Sequence, residues 1–384
     1  MRPVPERFDI FCRVVDNFGD AGVALRLARQ LANEHRLSVR LWIDDLRALA
    51  RMAPGLDSSA SAQFYSQVEV LNLALASREV RLPDVVIEAF GCGLPTPYLD
   101  AMEAPGAACS WINLEYLSAE PWIEQTHGLP SPQPHRSLTR WFYFPGFARG
   151  TGGLIREAAL DAAREAWLAD AQAHDRMWQS LGIDPPAPDT LTVSLFCYPN
   201  RAIAALLARW SDDHAPVLCV VPEGVAEDAL DRHFGGAPRK PGMALRSGAL
   251  TIALAPFVDH PAFDRRLWSC SLNIVRGEDS FVRAQWARRP MVWHVYPQDA
   301  AAHLVKLEAF LDHYTEGLAT APAQALRRFW SAFNADDAQA LADAWAPFRS
   351  ALPALATHAT RWGDTLAGKP DLASQLVGFA RNRL

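Results

Sequence analysis

Short apolar runs alternate with helical patterns through most of the chain. Residues 8–15, FDIFCRVV, predict a buried strand, and Val23, Leu27 and Leu31 share one face of the helix predicted after it. Strands that alternate with helices indicate βαβ units, in which helices cover both faces of a parallel sheet. The same patterns predict further strands at 38–43, 68–71, 84–90, 108–114, 139–147, 191–197, 217–221, 250–255, 272–275 and 291–295, and further helices at 156–181, 201–210, 261–268 and 280–288.

One segment interrupts this pattern. Residues 182–189, GIDPPAPD, contain three prolines, which can continue neither a helix nor a central strand. We therefore expect a linker there between two α/β domains, 1–181 and 190–363. From Ala300 onward the pattern is almost wholly helical, and residues 371–384 form an amphipathic segment.

Composition agrees with a folded, soluble protein. At ~150 residues per domain, 384 residues suggest two or three domains. The chain is 50% hydrophobic and 21% charged, and its net charge of −6 argues against a nucleic-acid partner held by a basic surface. No apolar run approaches the ~20 residues needed to cross a bilayer, and MRPVPERFDIF does not resemble a signal peptide. We expect a cytoplasmic protein without a membrane partner.

Cysteine and histidine spacing gives no sign of a disulfide or a metal. The six cysteines include no CxxC pair, and the eleven histidines include no HExxH. Cys12, Cys109, Cys197 and Cys219 lie within apolar runs. We interpret them as buried thiols in a reducing compartment, and we expect no metal cofactor.

The turn after the first strand carries two acids where many Rossmann domains carry glycines. It reads DNFGDAG, with Asp16 and Asp20, and it lacks the GxGxxG fingerprint of dinucleotide-dependent dehydrogenases. Two carboxylates repel a pyrophosphate, but they suit a cation or a hydroxyl or guanidinium nucleophile. The alternative is structural, because Asp20 could cap the following helix and Asp16 the turn.

Other candidate residues lie at strand ends of the second domain. In RGEDSF, Gly277 permits close backbone approach, Ser280 is a plausible N-cap, and the helix amides with Arg276 would bind a diphosphate without a metal. The alternative is an ordinary capped helix start. The aromatic residues at the ends of two further strands, Phe196, Tyr198 and Phe257, could stack on a nucleobase or belong to the core. Tyr296 and Gln298, at the end of another strand, could donate hydrogen bonds to phosphate or sugar.

These segments together resemble one family. FDIFCRVVDNFGDAGVALRLARQLA near the start, and RGEDSFVRAQWA followed by WHVYPQ in the second half, are similar to the EarP family of protein-arginine rhamnosyltransferases. The resemblance implies a GT-B glycosyltransferase, with two Rossmann-like domains facing across a cleft and a helical C-terminus. It assigns acceptor binding to the first domain, which a helix at about 364–384 would rejoin, and nucleotide-sugar binding to the second.

The family also implies a reaction. L-Rhamnose would move from dTDP-β-L-rhamnose, with inversion, to a guanidinium nitrogen of one arginine of translation elongation factor P. This modification would activate the factor for rescue of ribosomes stalled at polyproline. The resemblance names Asp20 as general base or guanidinium-orienting carboxylate, Asp16 beside it, and Glu278 as a second essential acid. It places at the donor Asn17, Gly19, Phe196, Tyr198, Phe257, His260, Arg276, Asp279, Ser280 and Tyr296, although His260 stands where a glutamine is expected.

The chemistry of the acceptor is consistent with paired acids. A guanidinium, with a pKa of roughly 13.8, stays protonated and delocalised and is a poor nucleophile. Carboxylates can hold it, localise its charge and accept its proton. Two alternatives stay open: a GT-B transferase with another nucleotide sugar and a small-molecule or lipid-linked acceptor, and a non-catalytic module that clamps a translation factor.

Overall fold

The computed structural model describes residues 5–16, 18–78, 80–236, 238–298 and 302–383. They form two compact units. One contains Met1–Ala158 and Ala367–Leu384, and the other contains Ala159–Leu366. Within the described ranges, no helix combines the length and apolar character that crossing a membrane requires. All six cysteines are free thiols.

Strands and helices alternate along most of the chain. The strands are β1 Arg7–Cys12, β2 Ser38–Ile43, β3 Ala62–Tyr65, β4 Val68–Asn72, β5 Val85–Ala89, β6 Ser110–Leu114, β7 Pro130–Pro132, β8 Thr139–Tyr143, β9 Leu191–Leu195, β10 Val217–Pro222, β11 Ala244–Ser247, β12 Leu250–Ala255, β13 Leu272–Arg276 and β14 Met291–His294. The α-helices are α1 Gly19–Glu34, α2 Leu46–Met52, α3 Thr96–Met102, α4 Trp122–Thr126, α5 Leu160–Ala169, α6 Ala171–Ser180, α7 Ile203–Ser211, α8 Glu227–Phe234, α9 His260–Ser269, α10 Asp279–Ala287, α11 Ala302–Tyr314, α12 Thr320–Asn334, α13 Ala338–Ala367 and α14 Leu372–Arg381.

The first unit is built on an eight-stranded sheet with the order β3-β4-β2-β1-β5-β6-β8-β7. β1 pairs in parallel with β2 on one side and with β5 on the other. β5 and β6 are buried at every position, as expected of central parallel strands with helices on both faces. The winding direction of the sheet therefore changes between β1 and β5.

The second unit contains a six-stranded sheet with the order β11-β12-β10-β9-β13-β14. β9 pairs in parallel with β10 and with β13, so the winding direction changes between β9 and β13. Helices α11 to α13 follow the last strand in sequence. α13 runs for 30 residues through Pro347 and Pro353.

The proline-rich segment 182–189 is not the boundary between the two units. The division falls after Ala158 instead. Trp178 and Leu181, at the end of α6, lie in a buried cluster with Val220 of the second sheet. The helices before the prolines therefore belong to the second unit, because their apolar side chains pack there.

Helix α14 lies in the first unit. The Asp371 carboxylate accepts a hydrogen bond from Ser374 N at 2.9 Å and so caps the helix. The same carboxylate accepts from Gln30 Nε2 of α1 at 3.1 Å, and Leu372 N donates to Leu154 O at 2.9 Å. Capping and packing thus tie this helix to the first sheet's helical layer.

The structure differs from the sequence pattern mainly at sheet edges and helix breaks. β3, β7 and β11 are short antiparallel strands that the pattern did not predict, and α2 and α8 were also missed. The helix predicted over 156–181 is two helices, because Asp170 ends α5 and its carboxylate accepts from Ala173 N at 2.9 Å to cap α6. The sheets are consequently mixed, with parallel centres.

Candidate functional site

The changes of winding direction position the loops that carry the predicted chemistry. In the first unit, the loop after β1 emerges beside the end of β5. In the second unit, the segments after β9 and β13 emerge side by side. Open α/β sheets bind ligands outside the carboxyl ends of their strands at such switch points. Each unit therefore presents candidate residues where its topology favours a ligand.

Asp20 is buried in the first turn of α1 and holds the loop that precedes it. Its carboxylate Oδ2 accepts from Val15 N at 2.8 Å and from Asp16 N at 3.0 Å. The side chain is 2% exposed. The N-cap of α1 is Phe18, which makes no side-chain capping bond. Asp20 is thus a rigidly held acid near the helix N-terminus, and it does not cap the helix as the structural alternative suggested.

Asp16 lies against the start of the same helix. Its backbone oxygen accepts from Gly19 N at 2.7 Å. A Cβ at position 19 would lie 2.8 Å from Asp16 Oδ2, so only glycine leaves room for the carboxylate there. The structure thus brings Asp16, Gly19 and Asp20 together, whereas Asn17, the other candidate in this loop, lies outside the described residues.

A second polar cluster stands at the carboxyl ends of β5 and β6, and the sequence patterns did not single it out. Glu88, 1% exposed, accepts from Gly93 N at 2.8 Å, Trp111 Nε1 at 3.0 Å and Arg140 Nη1 at 3.1 Å. An acid inside the apolar run DVVIEAF was the available signal. Burying a charge without partners costs free energy of folding, so an acid at this position requires hydrogen-bond donors around it.

Asn113 and Glu115 extend that cluster. Asn113 Oδ1 accepts from Gly91 N at 3.2 Å, and its Nδ2 donates to Glu115. Burial raises the pKa of Glu115, with Arg140 opposing the rise and Glu88 adding to it. The first unit thus presents acids on both sides of its switch point.

In the second unit, the turn between β13 and α10 is closed by a serine. Gly277 adopts φ +60°, a conformation that favours glycine. Ser280 Oγ accepts from Arg276 N at 3.1 Å and donates to Arg276 O. The N-cap of α10 is Glu278, without a side-chain capping bond, so Ser280 is not the N-cap that its sequence position suggested. Glu278 and Asp279 begin the helix and are half-buried.

Arg276 lies over two aromatic rings. Its Cζ is 4.5 Å from the ring centroid of Phe196 and 4.8 Å from that of Tyr198. Nη1 also donates to Cys197 O at 3.3 Å. The Tyr296 ring meets Tyr198 edge to face at 5.3 Å. These four predicted donor residues, Phe196, Tyr198, Arg276 and Tyr296, therefore form one cluster.

Phe257 and His260 occupy a different part of the same edge. They follow β12, which β10 separates from β9. Phe257 is half-buried, and His260 is 4% exposed at the start of α9. Asp259 caps that helix by accepting from Ala262 N at 2.9 Å. With strands ~5 Å apart, the ends of β12 and β9 are ~10 Å apart, a separation suited to different portions of one nucleotide.

Metal-ligand clusters are lacking in the part of the chain that the structure describes, where no group of three or more His, Cys, Asp or Glu side chains is placed to hold an ion. Cys12, at the end of β1, is not an activated thiol. Burial raises its pKa well above the ordinary value, and the nearby charge of Asp20 adds to the rise. The groups that could act on a ligand are therefore carboxylates in both units and, in the second unit, the Arg276 guanidinium with its aromatic rings.

Relatives of the chain carry a common name. A family model described as elongation-factor P (EF-P) rhamnosyltransferase EarP matches residues 8–381. Proteins named protein-arginine rhamnosyltransferase are similar over nearly their whole length: that of Pseudomonas putida is 48% identical over 98% of this chain and 99% of the relative, and that of Neisseria meningitidis 34% over 96% of each.

Solved structures agree with the fold. One, which concerns EarP-mediated arginine glycosylation of translation elongation factor EF-P, is 36% identical with a TM-score of 0.70 and covers 98% of this chain and 99% of that chain. MurG of Acinetobacter baumannii, 13% identical with a TM-score of 0.51 over 98% of this chain and 100% of that chain, shares the fold. The two α/β units thus have the GT-B architecture predicted from the resemblance, and the chain is a glycosyltransferase that belongs to the EarP family.

Proposed function

We propose that the chain transfers L-rhamnose from dTDP-β-L-rhamnose to a guanidinium nitrogen of one arginine of translation elongation factor P, with inversion at the sugar carbon. Membership of the EarP family supports the reaction. The observation that carries the proposal is the acid pair Asp16 and Asp20, rigidly held at the switch point of the first unit. In this proposal, the modification activates the factor for rescue of ribosomes stalled at polyproline.

Asp20 is the general base of this proposal. Among the described residues, the hydrogen bonds that it accepts from the loop, from Val15 N and Asp16 N, both end on Oδ2. In this proposal Oδ1 accepts from the acceptor guanidinium, and Asp16 contributes further negative charge. Carboxylates bind a guanidinium through charge-assisted hydrogen bonds and localise its charge. The arginine nitrogen becomes nucleophilic only as its proton moves to Asp20.

The transfer of rhamnose is a single displacement at the anomeric carbon. The arginine nitrogen forms a bond to the anomeric carbon of rhamnose while the bond from that carbon to the phosphate oxygen breaks. The electron pair of the broken bond leaves with dTDP, and the proton released by the nitrogen goes to Asp20. Attack opposite to the leaving group inverts the configuration of the anomeric carbon.

The leaving diphosphate gains negative charge in this step. Arg276 lies at the end of β13, and the backbone amides of the first turn of α10 follow within a few residues. Both favour an anion, through charge and through the helix dipole. We propose that they stabilise the leaving group and that Phe257, with His260 beside it, binds the thymine end. This arrangement uses no divalent ion.

Metal independence is directly testable. The purified enzyme, treated with EDTA and then desalted, is expected to retain its transfer rate, because the charge of Arg276 is part of the chain. Rates are measured with and without added magnesium. Loss of activity after EDTA that magnesium restores would show that a divalent ion carries part of this charge.

Intact-mass spectrometry tests the proposal as a whole. The enzyme is incubated with dTDP-L-rhamnose and elongation factor P from the same source. We expect the factor to gain one deoxyhexose, located by fragmentation on a single arginine, and a factor with that arginine replaced by lysine to gain none. If the factor gains no mass, the proposed acceptor is contradicted. If it is glycosylated to the same extent with UDP-glucose as the donor, the proposed donor is contradicted.

A further inference from the structure

Sheet register places three side chains in a row at the carboxyl edge of the second unit. β9, β13 and β14 are neighbours, and Arg276 of β13 is the register partner of His294 of β14. On the other side, Ile274 pairs with Leu195, so Arg276 stands level with the segment 196–198. Arg276 is therefore flanked by Tyr198, in the segment that follows β9, and by His294 of β14.

The rings surrounding Tyr198 leave little room for a nucleobase. Tyr198 is 6% exposed. The guanidinium of Arg276 lies over its ring at 4.8 Å, and the rings of His294 and Tyr296 meet it edge to face, each at 5.3 Å. A base that stacked on this ring would have to displace one of these groups. Stacking on a nucleobase, one of the two uses that its strand-end position suggested, therefore does not fit the surroundings of Tyr198.

His294 supports the same arrangement as an uncharged ring. It is 4% exposed and packs edge to face on Phe333 at 5.1 Å as well as on Tyr198. Burial, together with the charges of Arg276 and His303, lowers its pKa to about 3. A neutral imidazole fills the space next to Arg276 without repelling it, so the guanidinium keeps its place over the tyrosine ring.

We propose that Tyr198 is a positioning residue, which holds Arg276 where it meets the donor diphosphate and does not stack on the thymine. A cation over an aromatic face is attracted by the ring quadrupole, and the hydrogen bond from Arg276 to Cys197 O fixes its direction. The inference rests on the proposed donor. It separates the aromatic residues by role: Tyr198 acts on Arg276, and Phe257 acts on the base.

A double-mutant cycle tests this inference. Affinity for dTDP is measured by calorimetry for the wild type, Tyr198→Leu, Arg276→Gln and the double variant. Tyr198→Leu is expected to weaken binding about 2- to 30-fold, the range of a partly desolvated cation–π contact. In the Arg276→Gln background the same change is expected to have almost no effect, because the group that Tyr198 positions is gone.

Tyr198→Phe is the conservative variant, since it keeps the ring face over Arg276, and it is expected to retain more affinity for dTDP than Tyr198→Leu does. Thermal unfolding checks each variant, and Tyr198→Met replaces Tyr198→Leu in the cycle if leucine lowers the melting temperature. Additive losses in the double variant, or a loss in Tyr198→Phe as large as in Tyr198→Leu, would overturn the inference. Failure of the wild type to bind dTDP would instead contradict the proposed donor.

Discussion

At the scale of single residues, the same type of side chain serves different purposes depending on its partners. Asp20 and Asp45 each accept two backbone amide bonds through one carboxylate oxygen. Asp45 is an exposed N-cap of α2, whereas Asp20 is buried at a switch point. Sequence alone left open whether Asp20 caps α1, and the structure shows that its amide donors, Val15 N and Asp16 N, precede it in the loop.

Asp20→Asn is expected to reduce transfer by about 10²- to 10⁴-fold, because an amide cannot accept the proton that the acceptor nitrogen releases. Affinity for dTDP should stay unchanged, since the proposed nucleotide contacts lie in the second unit. Asp45→Asn is the matched control, because asparagine caps a helix about as well as aspartate. Near-normal turnover by Asp20→Asn would exclude this residue as the base.

Phe257→Ala is expected to weaken dTDP binding by about 5- to 150-fold, the range for loss of one stacked base. Affinity for elongation factor P should not change. Phe234→Ala, at another half-buried phenylalanine of the second unit, controls for general loss of packing. The dTDP affinities are measured by calorimetry. Equal affinities for Phe257→Ala and the wild type would show that Phe257 does not contact the nucleotide.

Glu88 shows what residue-level patterns miss. Its place in an apolar run was visible, but two of its partners, Trp111 and Arg140, are 23 and 52 residues away along the chain. The network with Trp111 and Arg140 exists only because β5, β6 and β8 are neighbours in the sheet. A single sequence does not specify that adjacency.

At the scale of elements, the α9–α10 pair positions much of the proposed donor site. α9 begins at His260 and α10 at Asp279. A buried bidentate ion pair joins the helices: Arg283 Nε lies 2.9 Å from Asp264 Oδ1, and Nη2 lies 2.7 Å from Oδ2. Arg283 is 2% exposed, so the pair fixes two helix N-termini relative to each other.

Asp264→Ala is expected to lower the free energy of unfolding by about 3–5 kcal/mol, because it leaves a buried guanidinium without its carboxylate. Urea denaturation measures the change. Asp312→Ala, which removes an exposed partner of Arg327, is expected to cost at most ~1 kcal/mol. Equal, small losses for both variants would show that the buried pair does not hold the helices together.

Element prediction succeeded for strands whose positions are mostly buried and failed for strands whose positions are exposed or half-buried. β2 and β12 have the bounds that the apolar pattern predicted. The missed strands β3, β7 and β11 are edge strands that pair antiparallel with their neighbours. Their residues are exposed or half-buried. Such strands are specified by a neighbour's free backbone groups more than by their own side chains.

At the scale of the whole molecule, burial of histidines ties stability to pH. Burial lowers the pKa of several of them below 6.5: His127, His174, His233, His294 and His358. Below pH 6.5 the unfolded chain binds protons that the folded chain does not. These groups therefore contribute stability at neutral pH, and this stability is lost as the pH falls.

His294→Gln isolates one contribution. The folded-state pKa of about 3 lies below the unfolded 6.5, so between these values the wild type should lose up to ~1.4 kcal/mol of unfolding free energy per pH unit that the variant does not lose. Denaturation at pH 7, 6, 5 and 4 gives the two curves. His214→Gln, at an exposed histidine, should run parallel to the wild type. Parallel curves for His294→Gln would contradict a buried neutral imidazole.

The sequence by itself determined the order of the main strands and helices, the two acids after β1, the turn before α10 and, by resemblance, the family. Local patterns carry this information, because each side chain's polarity reflects whether its position is buried or exposed. Tertiary structure alone decided the division after Ala158, the network of Glu88 and the place of Arg276 over Tyr198. These depend on which strands become neighbours, and that results from packing between segments distant along the chain.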